Sequence, residues 1–273
     1  MTRKKSRTLT LLYLNIAGGQ WFEELEAYLQ PLAERIDVFC FQEVLDTLTD
    51  KQWNSEQGGR FHRQRVDLFK QLQIILPKHQ PFFAWYSRLT TVDFPLYLGN
   101  AIFVNTERAI RSVAETGDRM VYGKRDSMKG FDLETIPRNV QYVVLELRGG
   151  KRLTVFNWHG LWETIGKADT PRRVEQFRVL ERFVRGFPGP KILGGDGNTF
   201  PESMSSSILA QAGWESLVLT HAIKSTRSSA YTRGDQNGYH ADDIFVRGVN
   251  ELRFELPEVV VSDHLPLVLQ CTV

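Results

Sequence analysis

Cysteine is scarce in this chain. Only two occur among 273 residues, and both, Cys40 and Cys271, sit inside apolar runs. That setting excludes a disulfide-stapled scaffold and predicts buried free thiols. Long apolar runs are missing too: none reaches the roughly 18 to 20 residues that a membrane-spanning helix needs. The basic start, Met1-Thr2-Arg3-Lys4-Lys5-Ser6-Arg7, leads into an apolar segment that meets Asn15 almost at once. Such a segment is too short for a secretory signal and lacks a small-residue cleavage site, so a cytoplasmic monomer is the default expectation. An excess of one charge is also absent. A net charge of +2 gives no global case for a polyanionic partner. Local basic patches at residues 3–7, 60–65, Lys124-Arg125 with Lys129, and Arg172-Arg173 read first as solvated faces. No repeat, linker or low-complexity stretch divides the sequence, so residues 9–273 read as one domain behind a basic tail, residues 1–8.

What is present is ordinary globular material, 42% hydrophobic and 24% charged, patterned as mixed elements. Residues 9–16, 37–42, 82–87, 100–105, 153–157 and 191–194 read as strands, and 140–147 alternates towards a hairpin turn at Gly149-Gly150. Helical spacing marks 21–34, through Phe22, Leu25, Tyr28, Leu29 and Leu32, and marks 60–76 up to Pro77. Thr170 and Pro171 are an N-cap and first-turn pair for a helix ending near 184. Another helix covers 203–211, closed by Gly213. Residues 242–246 and 259–269 supply the last strands. Hairpins mixed with helical crossovers predict two sheets packed face to face with helices outside. Residues 89–98, 117–137 and 225–239 are the long loops, and loops this long in a compact domain are usually functional or disordered.

Polar groups stand at the ends of the apolar runs: Asn15, Glu43, Asn157 with His159, Asp196 with Asn198, Asp242-Asp243, and Ser262-Asp263-His264. Each alone has a bland role. Glu43 would be a surface Glu, Asn15 an Asx turn, Gly194-Gly195-Asp196-Gly197-Asn198 a tight turn, and either histidine a buried structural one. Burying so many without partners would cost several kcal/mol in total. Convergence on one site, with a metal ion neutralising the acids, explains all of them together.

In this order the clusters resemble the signature motifs of the endonuclease/exonuclease/phosphatase superfamily, metal-dependent hydrolases typified by pancreatic deoxyribonuclease. The resemblance runs from Asn15 to His264 and implies a four-layer α/β sandwich, two packed mixed β-sheets flanked by helices. It implies Mg²⁺ or Mn²⁺, one or two ions, held by Glu43 with Asn15 and Asp263; such hard cations prefer oxygen ligands. Asp196 would orient the attacking water, Asn198 would hold the phosphate and Asp196, and His264 would stabilise developing charge. A carboxylate orients such a histidine. Adjacent strand residues face opposite ways, and spacing to Ile244-Phe245 favours Asp242 over Asp243. His159 would be a second phosphate donor, with Asn157 and Asn100 touching substrate, Asn100 alternatively His159. Relatives usually carry an aromatic where this chain has Gly197, which leaves the packing behind Asp196 in question.

The expected reaction is in-line attack of water on a phosphodiester, nuclease-like. A phosphomonoesterase on a small-molecule, inositol or lipid phosphate is the alternative, and a catalytically silent binding module a further one. Thr199-Phe200-Pro201 lacks the Arg an inositol phosphatase would show there. Arg125, Lys129, Arg227 and Arg233, in the long loops, would grip flanking phosphates if nucleic acid is a partner. Trp158, Trp162, Tyr231 and Tyr239 would stack a ring or, more ordinarily, pack core and rim.

Overall fold

The computed structural model describes residues 8–47, 64–89, 95–127, 132–232 and 239–273. In chain order the first part runs β1 (Leu9–Asn15), α1 (Phe22–Leu29), β2 (Val38–Asp46), α2 (Leu68–Ile75), β3 (His79–Leu89), β4 (Leu96–Asn105), β5 (Ile110–Tyr122), β6 (Arg138–Leu147) and β7 (Arg152–His159). There follow α3 (Pro171–Arg185), β8 (Lys191–Asp196), α4 (Met204–Gln211), β9 (Glu215–Ser216), α5 (Leu217–Thr220), β10 (Asp242–Arg247), β11 (Asn250–Glu255) and β12 (Leu267–Thr272). Among the described residues these strands form two six-stranded sheets, β11-β12-β1-β2-β4-β3 and β5-β6-β7-β8-β10-β9. Each sheet has the same pairing pattern. One central pair is parallel, β1 with β2 and β7 with β8, and the flanking pairs are antiparallel.

The layers follow from strand periodicity, since alternate side chains leave opposite faces. Leu9, Leu11 and Tyr13 face the second sheet, with Val38, Cys40, Ile102 and Val104, and meet Val143, Leu145, Val155, Ile192 and Ile244. Leu12, Leu14, Phe39, Phe41 and Phe103 face outward and are covered by Leu25, Leu29, Leu68 and Leu72 of α1 and α2. On the far side Phe156, Trp158, Leu193 and Phe245 are covered by Phe177, Leu180, Val184 and Leu209 of α3 and α4. Burial on both faces is why the strand sequences read as continuous apolar runs. The result is a four-layer α/β sandwich, as expected. Cys40 and Cys271 are buried free thiols. No helix among the described residues is long and apolar enough to cross a membrane.

Several boundaries differ from the sequence reading. The helix expected over 21–34 ends at Leu29 and tightens into a 3₁₀ turn at Gln30–Leu32, because Pro31 lacks an N–H and crowds the preceding turn. The helix expected over 60–76 is α2, starting at Leu68; residues 60–63 lie outside the described ones. Residues 117–122 of the supposed loop 117–137 belong to β5, a 13-residue sheet-edge strand with one face on solvent, hence its polar sequence. Val259, Val260 and Val261 are not a strand, while β11 was not foreseen.

Along the inner face, each strand changes character towards the same end of the sandwich. Leu9, Leu11 and Tyr13 lead to Asn15; Val38 and Cys40 to Gln42; Ile102 to Asn100; Val143 to Gln141 and Asn139; Val155 to Asn157 and His159; Ile244 to Asp242. Apolar packing therefore gives way to a layer of amides, and the amides to ionisable groups. Asn157 joins the sheets within that layer. Its Nδ2 donates to the carbonyls of Phe41 and Ala101, each at 3.0 Å, and its Oδ1 accepts from Gln42 Nε2 at 2.6 Å.

Candidate active site

The ionisable layer gathers Glu43, His159, Asp196, Asp242 and His264 at the carboxyl ends of the two parallel strand pairs and their neighbours. Asn15 closes β1. Its Oδ1 accepts from Ala17 N at 3.0 Å, an Asx turn, which leaves Nδ2 to donate to Glu43 Oε1 at 3.2 Å and Asp196 Oδ2 at 3.0 Å. The amide thereby orients Glu43, and its oxygen keeps one further lone pair. Glu43 lies where the β2–β4 register slips between Phe41 and Val44, and its φ is 56°. A bulge with left-handed backbone turns the side chain out of the strand alternation and into the site.

Asp196 stands opposite Asp242 across the β8–β10 pair. Both need close backbone approach nearby. A Cβ on Gly195 would lie 2.0 Å from the Trp158 carbonyl, and one on Gly160 2.2 Å from that of Gly197. Trp158, edge-on to Phe177 at 5.0 Å, also comes within 3.1 Å of where a Gly197 Cβ would stand. The packing left in question behind Asp196 is therefore supplied by the preceding strand. Gly197 N and Asn198 N both donate to the Ala241 carbonyl, at 2.7 and 3.1 Å.

His264 is oriented as the spacing argument required. Its Nδ1 lies 2.7 Å from Asp242 Oδ2, and Thr226 Oγ1 donates to the same oxygen at 2.9 Å. Asp243 turns the other way, accepting from Ser216 Oγ and Val218 N. The Ser262-Asp263-His264 turn is pinned by Ser262 Oγ donating to the Asn15 carbonyl at 2.6 Å and by Leu265 N donating to the Thr226 carbonyl at 2.8 Å. His264 Nε2 faces Asp196 Oδ2 at 3.5 Å and Asp263 Oδ1 at 3.9 Å. Burial and neighbouring Arg227 push its pKa down, but the carboxylates of Asp242, Asp263 and Asp196 outweigh them and raise it.

The second histidine has the opposite environment. His159 Nε2 is 3.3 Å from Asn198 Nδ2, 3.7 Å from Asp196 Oδ2 and 3.9 Å from Glu43 Oε1. Its Nδ1 faces a phenol, Tyr86 Oη, at 3.2 Å. Burial and then the charge of Arg138 hold its pKa well below the usual value, so it stands neutral. Asp196 would be raised by burial alone, yet the positive charge of His264, with that of Arg227 and Lys167, holds its carboxyl low and ionised. Glu43 is raised, first by burial and then by the negative charge of Asp263.

That last shift tests the fit of a divalent cation. Glu43 and Asp263 repel each other and keep about a third of their side-chain surface open, 34% and 28%, and Asp263 is only partly neutralised by Arg227 at 3.3 Å. Asp196, Asp242 and His264 also place ligand atoms within 4.8 Å of one another. In that set, however, Asp242 already holds His264 Nδ1, which describes an acid–histidine pair. Hard-cation chemistry is better served by the oxygens of Glu43 and Asp263.

Two expected substrate contacts lie elsewhere. Asn157 has both amide hydrogens bonded and no exposed surface, so it joins sheets and touches no substrate. Asn100 donates to Asn139 Oδ1 at 3.0 Å and does not reach His159. Arg227 sits at the centre of the site, its Nη1 against His264 Nε2, and not on a flanking track; Arg233 lies outside the described residues. Tyr86 and Thr226 were not foreseen. Tyr86 lies unremarked within the expected strand 82–87, and Thr226 within the expected loop 225–239.

A profile of the Endonuclease/Exonuclease/phosphatase family matches residues 12–264. The chain belongs to that family. Endonuclease/Exonuclease/phosphatase proteins of known structure share its fold across the whole chain. One from Bacteroides thetaiotaomicron superposes with a TM-score of 0.69 at 19% identity, covering 98% of this chain and 95% of that one. The mannosyl-6-phosphatase of B. thetaiotaomicron VPI-5482 gives 0.68 at 19% identity, with 97% and 100% covered. In sequence, a UPF0294 protein of Vibrio campbellii is 26% identical over 137 residues, which are 50% of this chain and 46% of that relative. The matched segment thus spans about half the length of the curated relatives. Family members are typically divalent-metal-dependent phosphoesterases.

Proposed function

We propose that this chain hydrolyses phosphate esters by in-line attack of water. The observation that carries the reading is the juxtaposition of an ionised Asp196 with a His264 that Asp242 orients, across a 3.5 Å gap. Asp196 accepts a hydrogen bond from the attacking water and takes its proton as the new P–O bond forms. His264 Nε2–H donates to a phosphoryl oxygen, where negative charge builds, while the ester P–O bond breaks and the leaving oxygen departs with its electron pair to take a proton from solvent. Neutral His159 and the Asn198 amide present polar atoms on the opposite flank. Glu43 and Asp263 would hold Mg²⁺ or Mn²⁺, with Asn15 orienting Glu43; a bound ion neutralises charge on the phosphoryl group. A silent binding module has no use for so many acids in one buried cluster.

The nuclease-like phosphodiesterase expected from the sequence needs free cations along a rim. Three of the described arginines are engaged: Arg125 with Asp118 at 2.6 Å, Arg88 with Asp126 at 3.4 Å, and Arg172 with Glu134 and Glu163, both at 2.8 Å. That favours a small phosphate ester over nucleic acid, in keeping with the phosphomonoester named in the mannosyl-6-phosphatase relative.

The test is metal-supplemented hydrolysis of p-nitrophenyl phosphate and bis-p-nitrophenyl phosphate. Asp196→Asn and His264→Ala should each lower kcat by roughly 10²- to 10³-fold or more. Equal rates for both variants and the parent protein would remove the reading.

A further inference from the structure

Arg227 is an odd residue to find beside a catalytic histidine. Its side chain is 8% exposed, its Nη1 lies against His264 Nε2 and 3.3 Å from Asp263 Oδ2, and its guanidinium covers the Tyr231 ring at 4.5 Å. The backbone fixes it there. Arg227 and His264 form an isolated antiparallel bridge, and Arg227 N accepts no freedom from its loop, since it donates to Ser225 Oγ at 3.0 Å. Facing residues of an antiparallel bridge put their side chains side by side.

The local partners do not use up this group. A guanidinium carries five N–H donors. The Arg227 Nε is buried without a partner, which is costly in a protein interior unless a ligand completes it. The histidine it touches is a poor acceptor for it as well. His264 Nδ1 is committed to Asp242, and Nε2 is turned towards Asp196 and Asp263. Arg227 Nη1 and His264 Nε2 are thus two donors side by side, and an anion seated against the pair would accept from both. A salt bridge to Asp263 alone would explain neither the unused Nε nor the contact with Nε2.

We propose, resting on the phosphoesterase reading above, that Arg227 determines specificity: with His264 it grips the reacting phosphate, and it sets a preference for phosphomonoesters over phosphodiesters. A phosphomonoester carries about 1.5 to 2 negative charges near neutral pH, with three non-bridging oxygens. A diester carries one charge and two such oxygens. A guanidinium fork beside the histidine engages the additional oxygen and charge, and planar bidentate donors suit phosphate geometry. The substrate class is a small molecule or sugar ending in a phosphate.

The experiment compares the parent protein with Arg227→Ala and Arg227→Lys in the same metal buffer. kcat/KM is measured on p-nitrophenyl phosphate and on bis-p-nitrophenyl phosphate. Binding of inorganic phosphate and of dimethyl phosphate is followed by calorimetry, and thermal melting checks that each variant folds. The parent should prefer the monoester. Arg227→Ala should lose roughly 10²-fold on the monoester and markedly less on the diester, with phosphate affinity weakened and dimethyl phosphate affinity little changed. Arg227→Lys should recover part of the monoester rate, because charge returns without the fork. Equal losses on both esters, or phosphate affinity unchanged in Arg227→Ala, would overturn the assignment while the hydrolase reading stands. A parent inactive on both esters that still binds phosphate through Arg227 would overturn the reaction and keep the anion site.

Discussion

Adjacent residues Asp242 and Asp243 have identical side chains and opposite fates. Asp242 orients His264, whereas Asp243 is buried on the other face of β10, and burial pushes its carboxyl up to about 7. The folded protein therefore favours the protonated acid more than the unfolded chain does. A folded-state pKa raised above the unfolded one gives stability that is complete below about pH 4 and lost as pH rises through about 7. Asp243→Asn mimics the protonated acid, able to donate to Ser216 Oγ and accept from Val218 N. Its melting temperature should exceed the parent's at pH 8 and match it at pH 4.5. The difference at pH 8 should be worth on the order of a few kcal/mol. An equal offset at both pH values would show that titration of Asp243 is not the cause. At this scale the sequence was legible where a strand alternation could be counted, as in the choice of Asp242. It was silent where a partner comes from a distant loop, as Thr226 does, and it named Arg227 only as a contact for flanking phosphates.

Among the elements, β2 bears most directly on function. A bulge at Gln42 and Glu43 interrupts its pairing, and Glu43 takes a backbone conformation that L residues avoid. Strain and carboxylate repulsion both fall on this residue, which is how an active site trades stability for chemistry. Glu43→Gln removes the repulsion and keeps the shape. Without metal it should melt higher than the parent, because burial and the charge of Asp263 disfavour the ionised Glu43 carboxylate. Mg²⁺ or Mn²⁺ should then raise the melting temperature of the parent but not of the variant. A variant that still responds fully to the ions would place the metal elsewhere. The bulge could not be read from the sequence, since Phe41-Gln42-Glu43-Val44 looks like continuous strand. β5 failed for a related reason: an edge strand has a solvent face, and its polar residues look like loop.

For the whole molecule, the layer order followed from periodicity, and six scattered polar clusters pointed correctly to one end of the sandwich. The thiols report on that architecture. Cys40 and Cys271 have no exposed surface, and burial pushes the Cys271 thiol to about 12. A thiol-reactive dye should modify them only as fast as the chain opens globally, and reductant should leave the melting temperature unchanged. Rapid labelling in native buffer would mean that the inter-sheet core is looser than described.

The matching pairing patterns of the two sheets have a consequence for the centre between them. Strands β1 and β2, joined through α1, correspond in their pairing to β7 and β8, joined through α3, and the reactive groups gather at the ends of both pairs. One half contributes Asn15 and Glu43, the other His159 and Asp196. The frame is nearly symmetric while its chemistry is not, cation-binding acid on one side and water-orienting acid on the other. Neither half holds a working set by itself, and the amide seam at Asn157 keeps the two in register.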